Sequence, residues 1–220
     1  MNQYLVSAIC LLSVLRPCLA HSWIDILYAT DPDTGTIRST GYIRNYQGHI
    51  DLDETYHLLD PTAASAVCAS NQQTATYSSE YPMLTARPGD NITAHYEENG
   101  HVTLDSLAPD YKPHPGYYAW LWTGEPGTEL TTVGEMLEVD NVLAGPFTFD
   151  DGKCAVAEGN PFGAGRTVQP CVATFWLPYG LVSGTYSLVW AWHFPKIPAC
   201  ETGATLEFYT SCLDIYVDNS

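Results

Sequence analysis

Ala204-Thr205-Leu206-Glu207-Phe208-Tyr209-Thr210-Ser211-Cys212-Leu213-Asp214-Ile215-Tyr216-Val217 is the stretch whose reading decides the fold class. It is rich in aromatic and β-branched residues and reads as one strand. Strand alternation puts Glu207 and Tyr209 on one face, with Leu206 and Phe208 on the other. Shorter runs of the same character recur upstream at residues 23–28, 91–96, 117–122, 172–177 and 185–192, set between Gly, Pro, Asn and Asp clusters. No long stretch carries a helical period, although residues 128–143 have room for a helical turn or two. Pro146, Gly152, Gly159, Pro161, Gly163 and Gly165 mark long loops. Many short strands joined by long loops predict a mainly β protein, an antiparallel β-sandwich. No internal repeat, low-complexity segment or composition break divides the chain, so one domain is expected.

The junction Cys18-Leu19-Ala20-His21-Ser22-Trp23 carries the functional signal. An uncharged apolar run from Leu5 to Leu15, followed by small side chains at Cys18 and Ala20, reads as a secretory signal over residues 1–20. The competing reading is a membrane anchor, but an apolar run of about ten residues falls short of the roughly 20 needed to span a bilayer. Cleavage after Ala20 would leave His21 as the new N-terminus of a secreted, extracellular domain spanning residues 21–220. An N-terminal histidine offers its α-amino nitrogen and its ring Nδ1 to one metal ion. One further imidazole then completes a three-nitrogen site suited to copper, a histidine brace. An α-amine with a pKa of about 7.7–8 must lose its proton to bind metal, so binding is expected to release protons and weaken in acid.

Charge excludes other partners. The chain has 25 Asp and Glu against 8 Lys and Arg, a formal charge of −17. Phosphate binding needs clustered cations, and this sequence has none, so nucleic acid is not an expected partner. The spread of acidic residues reads as a solvated secreted surface. Cys10 and Cys18 would leave with the signal, while Cys68, Cys154, Cys171, Cys200 and Cys212 remain without zinc-like spacing. Disulfides are the expected use. Counting alone leaves their connectivity open, although the short loop from Cys154 to Cys171 is easily closed. Asn91-Ile92-Thr93 is an N-glycosylation sequon.

The second metal ligand must come from His49, His57, His95, His101, His114 or His193. His101 follows an Asn-Gly turn just past the strand at residues 91–96, at the end of the sandwich, and is the chosen ligand. A histidine after a turn is ordinarily a solvated loop residue, and it is His21 that raises the claim of His101. His95 lies within a strand and reads as a sheet residue, while His49, His57 and His114 lie in polar loops and have weaker claims. On the last strand, Glu207 and Tyr209 can point a carboxylate and a phenol at the same metal, although a strand tyrosine is ordinarily a packing residue.

Together, His21 after the signal, His101 about eighty residues on, and Glu207-Phe208-Tyr209 followed by Cys212 resemble lytic polysaccharide monooxygenases, secreted copper enzymes with an immunoglobulin-like or fibronectin-III-like β-sandwich. The cellulose-active fungal class has Gln where this chain has Glu207, and its axial Tyr and following Cys match Tyr209 and Cys212. The chain is also similar to a group of fungal secreted proteins with the opening His21-Ser22-Trp23, the turn Glu98-Asn99-Gly100-His101 and the segment Phe149-Asp150-Asp151-Gly152-Lys153-Cys154. The resemblance implies one copper ion per chain, held by His21 and His101 with Tyr209 axial. It also implies a Cys68–Cys212 disulfide, an external electron donor, O2 or H2O2 as oxidant, and oxidation at C1 or C4 of a glycosidic linkage. Glu207 would act on the oxygen species from outside the ligand set, and His193 would stand near it. With Cys154 bonded to Cys171, Cys200 is left unpaired. A monomer is expected.

The substrate stays open among cellulose, chitin, hemicellulose and pectin. Trp23, Tyr28, Tyr42, Tyr46, Tyr111, Tyr117 and Tyr118 are candidates for a flat aromatic face around the copper. Two further readings compete with the enzyme. A copper acquisition or storage protein would use the same brace without oxidising a polymer, and a metal-free binding module would need neither His21 nor copper.

Overall fold

The structure is a computed structural model that describes residues 20–97, 99–100, 114–155, 166–194 and 206–220. His101, Tyr111, Cys200 and residues 1–19 of the expected signal lie outside the described residues.

In chain order the strands are β1 (Ala20–His21), β2 (Ile24–Thr30), β3 (Ile37–Gly41), β4 (His57–Leu59), β5 (Leu84–Ala86), β6 (Asn91–Tyr96) and β7 (Asn99–Gly100). They continue with β8 (Tyr117–Trp122), β9 (Val142–Thr148), β10 (Cys154–Ala155), β11 (Thr167–Val168), β12 (Cys171–Trp176), β13 (Gly184–His193) and β14 (Glu207–Val217). Among the described residues, short α-helices α1 (Asp51–Glu54) and α2 (Val133–Met136) and a 3-10 turn at Val139–Asn141 lie between them. One sheet has the order β12-β6-β2-β3, and the other has β4-β14-β13-β8-β9 with β5 also paired to β14. The pairs within these sheets are antiparallel, apart from β5 with β14. This is the antiparallel β-sandwich that the strand pattern predicted.

Strand alternation assigns side chains to two buried layers. Ile24, Leu27, Ile92 and Phe175 from the first sheet meet Trp120, Trp190, Leu213 and Ile215 from the second. On the second sheet's other face, Phe208 and Cys212 join Val189, Leu121 and Leu58 in a separate cluster with Val67, Val133 and Met136. Helix α2 covers that face, and it starts where Thr132 and Glu135 form a capping box. Disulfide Cys68–Cys212 ties the covering loop to β14. Disulfide Cys154–Cys171 closes the short loop expected from spacing.

A buried ion pair holds the middle of β14. Asp214 receives two hydrogen bonds from Arg44, from Nε at 2.9 Å and Nη2 at 2.7 Å, and a third from the Tyr77 hydroxyl at 2.8 Å. Arg44 also donates to Ser187 Oγ, to the Gln72 carbonyl and to Glu129 Oε2, so its donors are distributed over four segments. A buried charge pair is tolerated only when such extra bonds replace lost hydration.

Strands β2, β6, β8, β12 and β13 fall within two residues of the sequence reading, and β14 starts three residues later than expected. Helix α2 lies inside residues 128–143, whereas α1 was not anticipated. The short strands β3, β4 and β5 and the edge strand β9 were not legible. Strand β9 contains Gly145-Pro146, which interrupts a strand signal but is tolerated at a sheet edge.

Glu54, at the end of α1, is buried; its Oε1 accepts the Gln47 N–H at 2.8 Å, and Oε2 has no hydrogen-bond partner among the described residues. Burial pushes its carboxyl up to about 7, against the lowering effect of the Gln47 bond. A raised carboxyl pKa contributes stability that is complete below the unfolded value and is lost as pH rises through the folded one. Between pH 4.5 and 7.5 the thermal midpoint should therefore fall by about 4–8 °C more in the native protein than in Glu54→Gln. Parallel pH profiles in the two proteins would contradict this assignment.

Candidate metal centre

The first residues of β14 build a fixed phenol–carboxylate–imidazole group. Strand β4 pairs antiparallel with β14, placing His57 opposite Tyr209 and Leu59 opposite Glu207. The His57 ring stacks on the Tyr209 ring with centroids 4.5 Å apart and planes 5° from parallel. Glu207 Oε1 accepts the Tyr209 hydroxyl at 2.9 Å and lies 3.0 Å from His57 Nε2. Glu207 and Tyr209 are buried, at 2% and 1% exposure, whereas the His57 side chain is 30% exposed and provides the way to solvent. A phenol that donates its proton to a carboxylate presents its oxygen lone pairs as acceptors, the polarity that a cation requires.

Packing holds the phenol in place. Trp192, opposite Tyr209 in the β13–β14 pairing, stacks on it at 4.9 Å and on Phe149 at 4.0 Å. The Trp192 indole N–H is itself anchored, donating to the Pro115 carbonyl at 2.8 Å. Such ring pairs are each worth about 0.5–1.5 kcal/mol beyond their burial, enough to restrict a tyrosine to one rotamer.

His21 lies in β1, which pairs with β7 so that His21 faces Asn99 and Ala20 faces Gly100. Gly100 immediately precedes His101 in the sequence. The two residues after His21 are buried and tied down. Ser22 Oγ donates to the Glu97 carbonyl at 2.6 Å, and the Glu97 N–H donates to the Trp23 carbonyl at 3.0 Å. The Ile24 N–H then donates to Ser211 Oγ at 3.1 Å. Further along β2, Leu27 pairs with Gly41, whose Cα packs so close to Leu84 that a Cβ there would meet its backbone at 2.5 Å; Leu84 pairs with Ile215. From Ile24 to Leu27 the neighbours on β14 thus advance from Ser211 to Ile215. The two strands run the same way, and the chain upstream of Ile24 heads toward the Glu207–Tyr209 end.

A second polar cluster supports this entry segment. Asp25 is the extra residue where the β2–β6 register shifts between Ile24 and Ile26, and such a bulge re-aims its side chain. It accepts a bond from the Tyr46 hydroxyl and lies 3.2 Å from His49 Nδ1. Glu97 Oε1 lies 3.8 Å from the same nitrogen, and burial pushes the Glu97 carboxyl up to about 7 against the pull of His49. The ligand atoms of Asp25, His49 and Glu97 converge within 4.8 Å. Asp151, Cys154 and Cys171 also cluster, but both cysteines are consumed by their disulfide.

The remaining sequence candidates separate. His193 pairs opposite Phe208 and its ring sits 4.9 Å from the Phe208 ring, on the sheet face away from Tyr209, so the structure does not bring it to Glu207. His57 stands there instead. The sequence reading passed over it as a loop residue because a strand of three residues leaves no readable period. Of the aromatic candidates, Trp23, Tyr46 and Tyr118 are core residues, and Tyr117 is exposed.

A family model matches residues 18–220, most of the chain. The chain belongs to the family described as Domain of unknown function (DUF7492). Comparison with curated proteins finds no match. Among solved structures, a cellulose-active polysaccharide monooxygenase from M. thermophila is similar at 18% identity and a TM-score of 0.42, covering 91% of this chain and 79% of that one. CvAA9A is similar at 14% identity with a TM-score of 0.43 over the same shares of the two chains. A chitin binding domain from Burkholderia pseudomallei is similar at 15% identity and a TM-score of 0.36, covering 72% of this chain and 75% of that one. At these identities and TM-scores the likenesses carry no weight for chemistry, which has to be argued from the residues of this chain.

Replacing His57 by Ala removes one hydrogen bond from a buried carboxylate and a stacked ring from Tyr209. A bond to a charged group is worth about 1.5–3 kcal/mol, so the thermal midpoint should drop by roughly 4–10 °C. Leu59→Ala, at an exposed position of the same strand, should leave it nearly unchanged. Equal effects of the two substitutions would show that the His57–Glu207 contact contributes nothing.

Proposed function

We propose that the mature protein begins at His21 and acts as a secreted, copper-dependent monooxygenase on a polysaccharide. His21, through its amine and ring, His101, through its ring, and Tyr209, through its phenol oxygen, would hold one copper ion. The observation that carries this reading is the β1–β7 pairing. It sets His21 beside Asn99, with Gly100 directly preceding His101 in the sequence, and the Ile24 N–H to Ser211 Oγ hydrogen bond ties the segment after His21 to β14 two residues past Tyr209. The donor set of amine, imidazoles and phenol is of the nitrogen-rich kind that suits copper.

Copper, when bound, supplies oxidation of a C–H bond at C1 or C4 of a glycosidic linkage, with O2 and two electrons from an external donor or with H2O2. The protein's contribution is position and proton control. The hydrogen bonds of Ser22 and Glu97 fix the direction in which His21 is presented. The Trp192 stack and the Glu207 acceptor hold the Tyr209 oxygen at one place and orientation. Glu207 and His57 form a proton path from the buried phenol to the half-exposed imidazole. Groups in this position outside a metal's ligands typically change affinity or activity by about 10–100-fold when removed. Tyr117, exposed opposite His193 at the same end of the sheet, is an aromatic surface for a sugar ring.

The test is to incubate copper-loaded mature protein with cellulose, chitin, hemicellulose or pectin, each with and without a reductant, and to analyse released products by mass spectrometry. The expected result is oxidised oligosaccharide from one of these polymers, dependent on the reductant, abolished in His21→Ala and reduced about 10–100-fold in Glu207→Gln. Tight copper binding with no oxidised product from any polymer would replace this reading with copper acquisition or storage. Product unaffected by His21→Ala would overturn the brace.

A further inference from the structure

The sequon Asn91-Ile92-Thr93 opens β6, where alternation buries Ile92 and turns Asn91 and Thr93 to the outer face of the four-stranded sheet. That orientation is what a sequon needs in a folded protein. The sugar is transferred to the amide nitrogen while the chain is unfolded, and the finished fold must leave it room. The Asn91 side chain is only partly buried, with its Oδ1 atom covered.

The register then sets a second feature beside it. Asn91 pairs directly with Trp176, the last residue of β12, and on this strand Val172, Thr174 and Trp176 face solvent while Cys171, Ala173 and Phe175 face the core. Directly opposed side chains in an antiparallel pair have Cβ atoms about 4.5–5.5 Å apart on the same face. Trp176 is 56% exposed, although an indole is the largest apolar surface a side chain can offer. Tyr179, 78% exposed, packs over Gly89 at the same end of the sheet; a Cβ on Gly89 would lie 2.4 Å from its ring.

We propose that Asn91 carries an N-linked glycan whose innermost N-acetylglucosamine lies against the Trp176 indole. The axial C–H groups of a pyranose form a flat apolar face, and the cross-strand distance is that of one sugar ring attached to the neighbouring amide. Covering the indole removes apolar surface from water on both partners, which stabilises the glycosylated fold. The sugar also shields an outer sheet face that would otherwise expose Trp176 and Val172 together. The proposal concerns the four-stranded sheet alone and holds whether or not the protein binds copper.

The experiment uses full-length protein secreted from yeast, trimmed with an endoglycosidase to a single N-acetylglucosamine, and compared with glycan-free protein from Asn91→Gln or from bacterial export. Peptide mass spectrometry should find the sugar on Asn91. Hydroxyl-radical footprinting should oxidise Trp176 several-fold more slowly in the glycosylated form. The single sugar should raise the thermal midpoint by about 2–4 °C, and that gain should disappear in Trp176→Ala. An unmodified Asn91 peptide from the yeast protein would overturn the proposal, as would equal oxidation of Trp176 in both forms.

Discussion

Burial of β14 on both faces is the constraint on which the rest of the structure depends. With only the sandwich interior covering it, alternation would leave four of its first nine residues exposed; instead all nine are buried, and each face belongs to a different cluster. Tyr209, Leu213 and Ile215 form the sandwich interior, while Phe208 and Cys212 need a second cover, supplied by α2 and the loop through Cys68. A register slip of one residue would exchange the two sets. The Arg44–Asp214 pair opposes that slip, since Asp214 in the other layer would lose its hydrogen bonds and leave charge buried without a partner.

The same constraint positions chemistry. Because β14 is fixed in register, Glu207 and Tyr209 share a face at its start, and the two partners of that end are determined by pairing alone: Trp192 on one side and His57 on the other. Stacking on both limits the phenol to one orientation, and Glu207 accepts the hydrogen bond from its hydroxyl. A centre that must hold a metal without reorganisation needs this rigidity, and it arises here from a packed strand end rather than from a loop. On the opposite sheet, the buried Ser22 and Trp23 extend the same rigidity to the residue that precedes them.

What was legible in the sequence follows the strength of local periodicity. The runs around residues 91–96, 117–122 and 185–192 are long enough for alternation and β-branched content to agree, and they form strands where expected. The placement of Glu207 and Tyr209 on one face needed only the two-residue period. Strand β4 has three residues, and β9 carries Gly145-Pro146, so neither presents a pattern; they are strands because β14 and β8 offer unpaired edges. His57 was missed for that reason, as its role comes from a partner 150 residues away. His193 shows the converse. Its sequence position before the last strand suggested proximity to Tyr209, but parity decides the face, and the register gives that place to Trp192.

The central claim is that a free His21 amine takes part in a copper site, and it is tested most directly by Cu(II) titration with electron paramagnetic resonance on two proteins, one starting at His21 and one carrying a single extra residue before it. The account predicts tight one-to-one binding with nitrogen hyperfine structure in the first and its loss in the second. Equal, weak binding in both would contradict it.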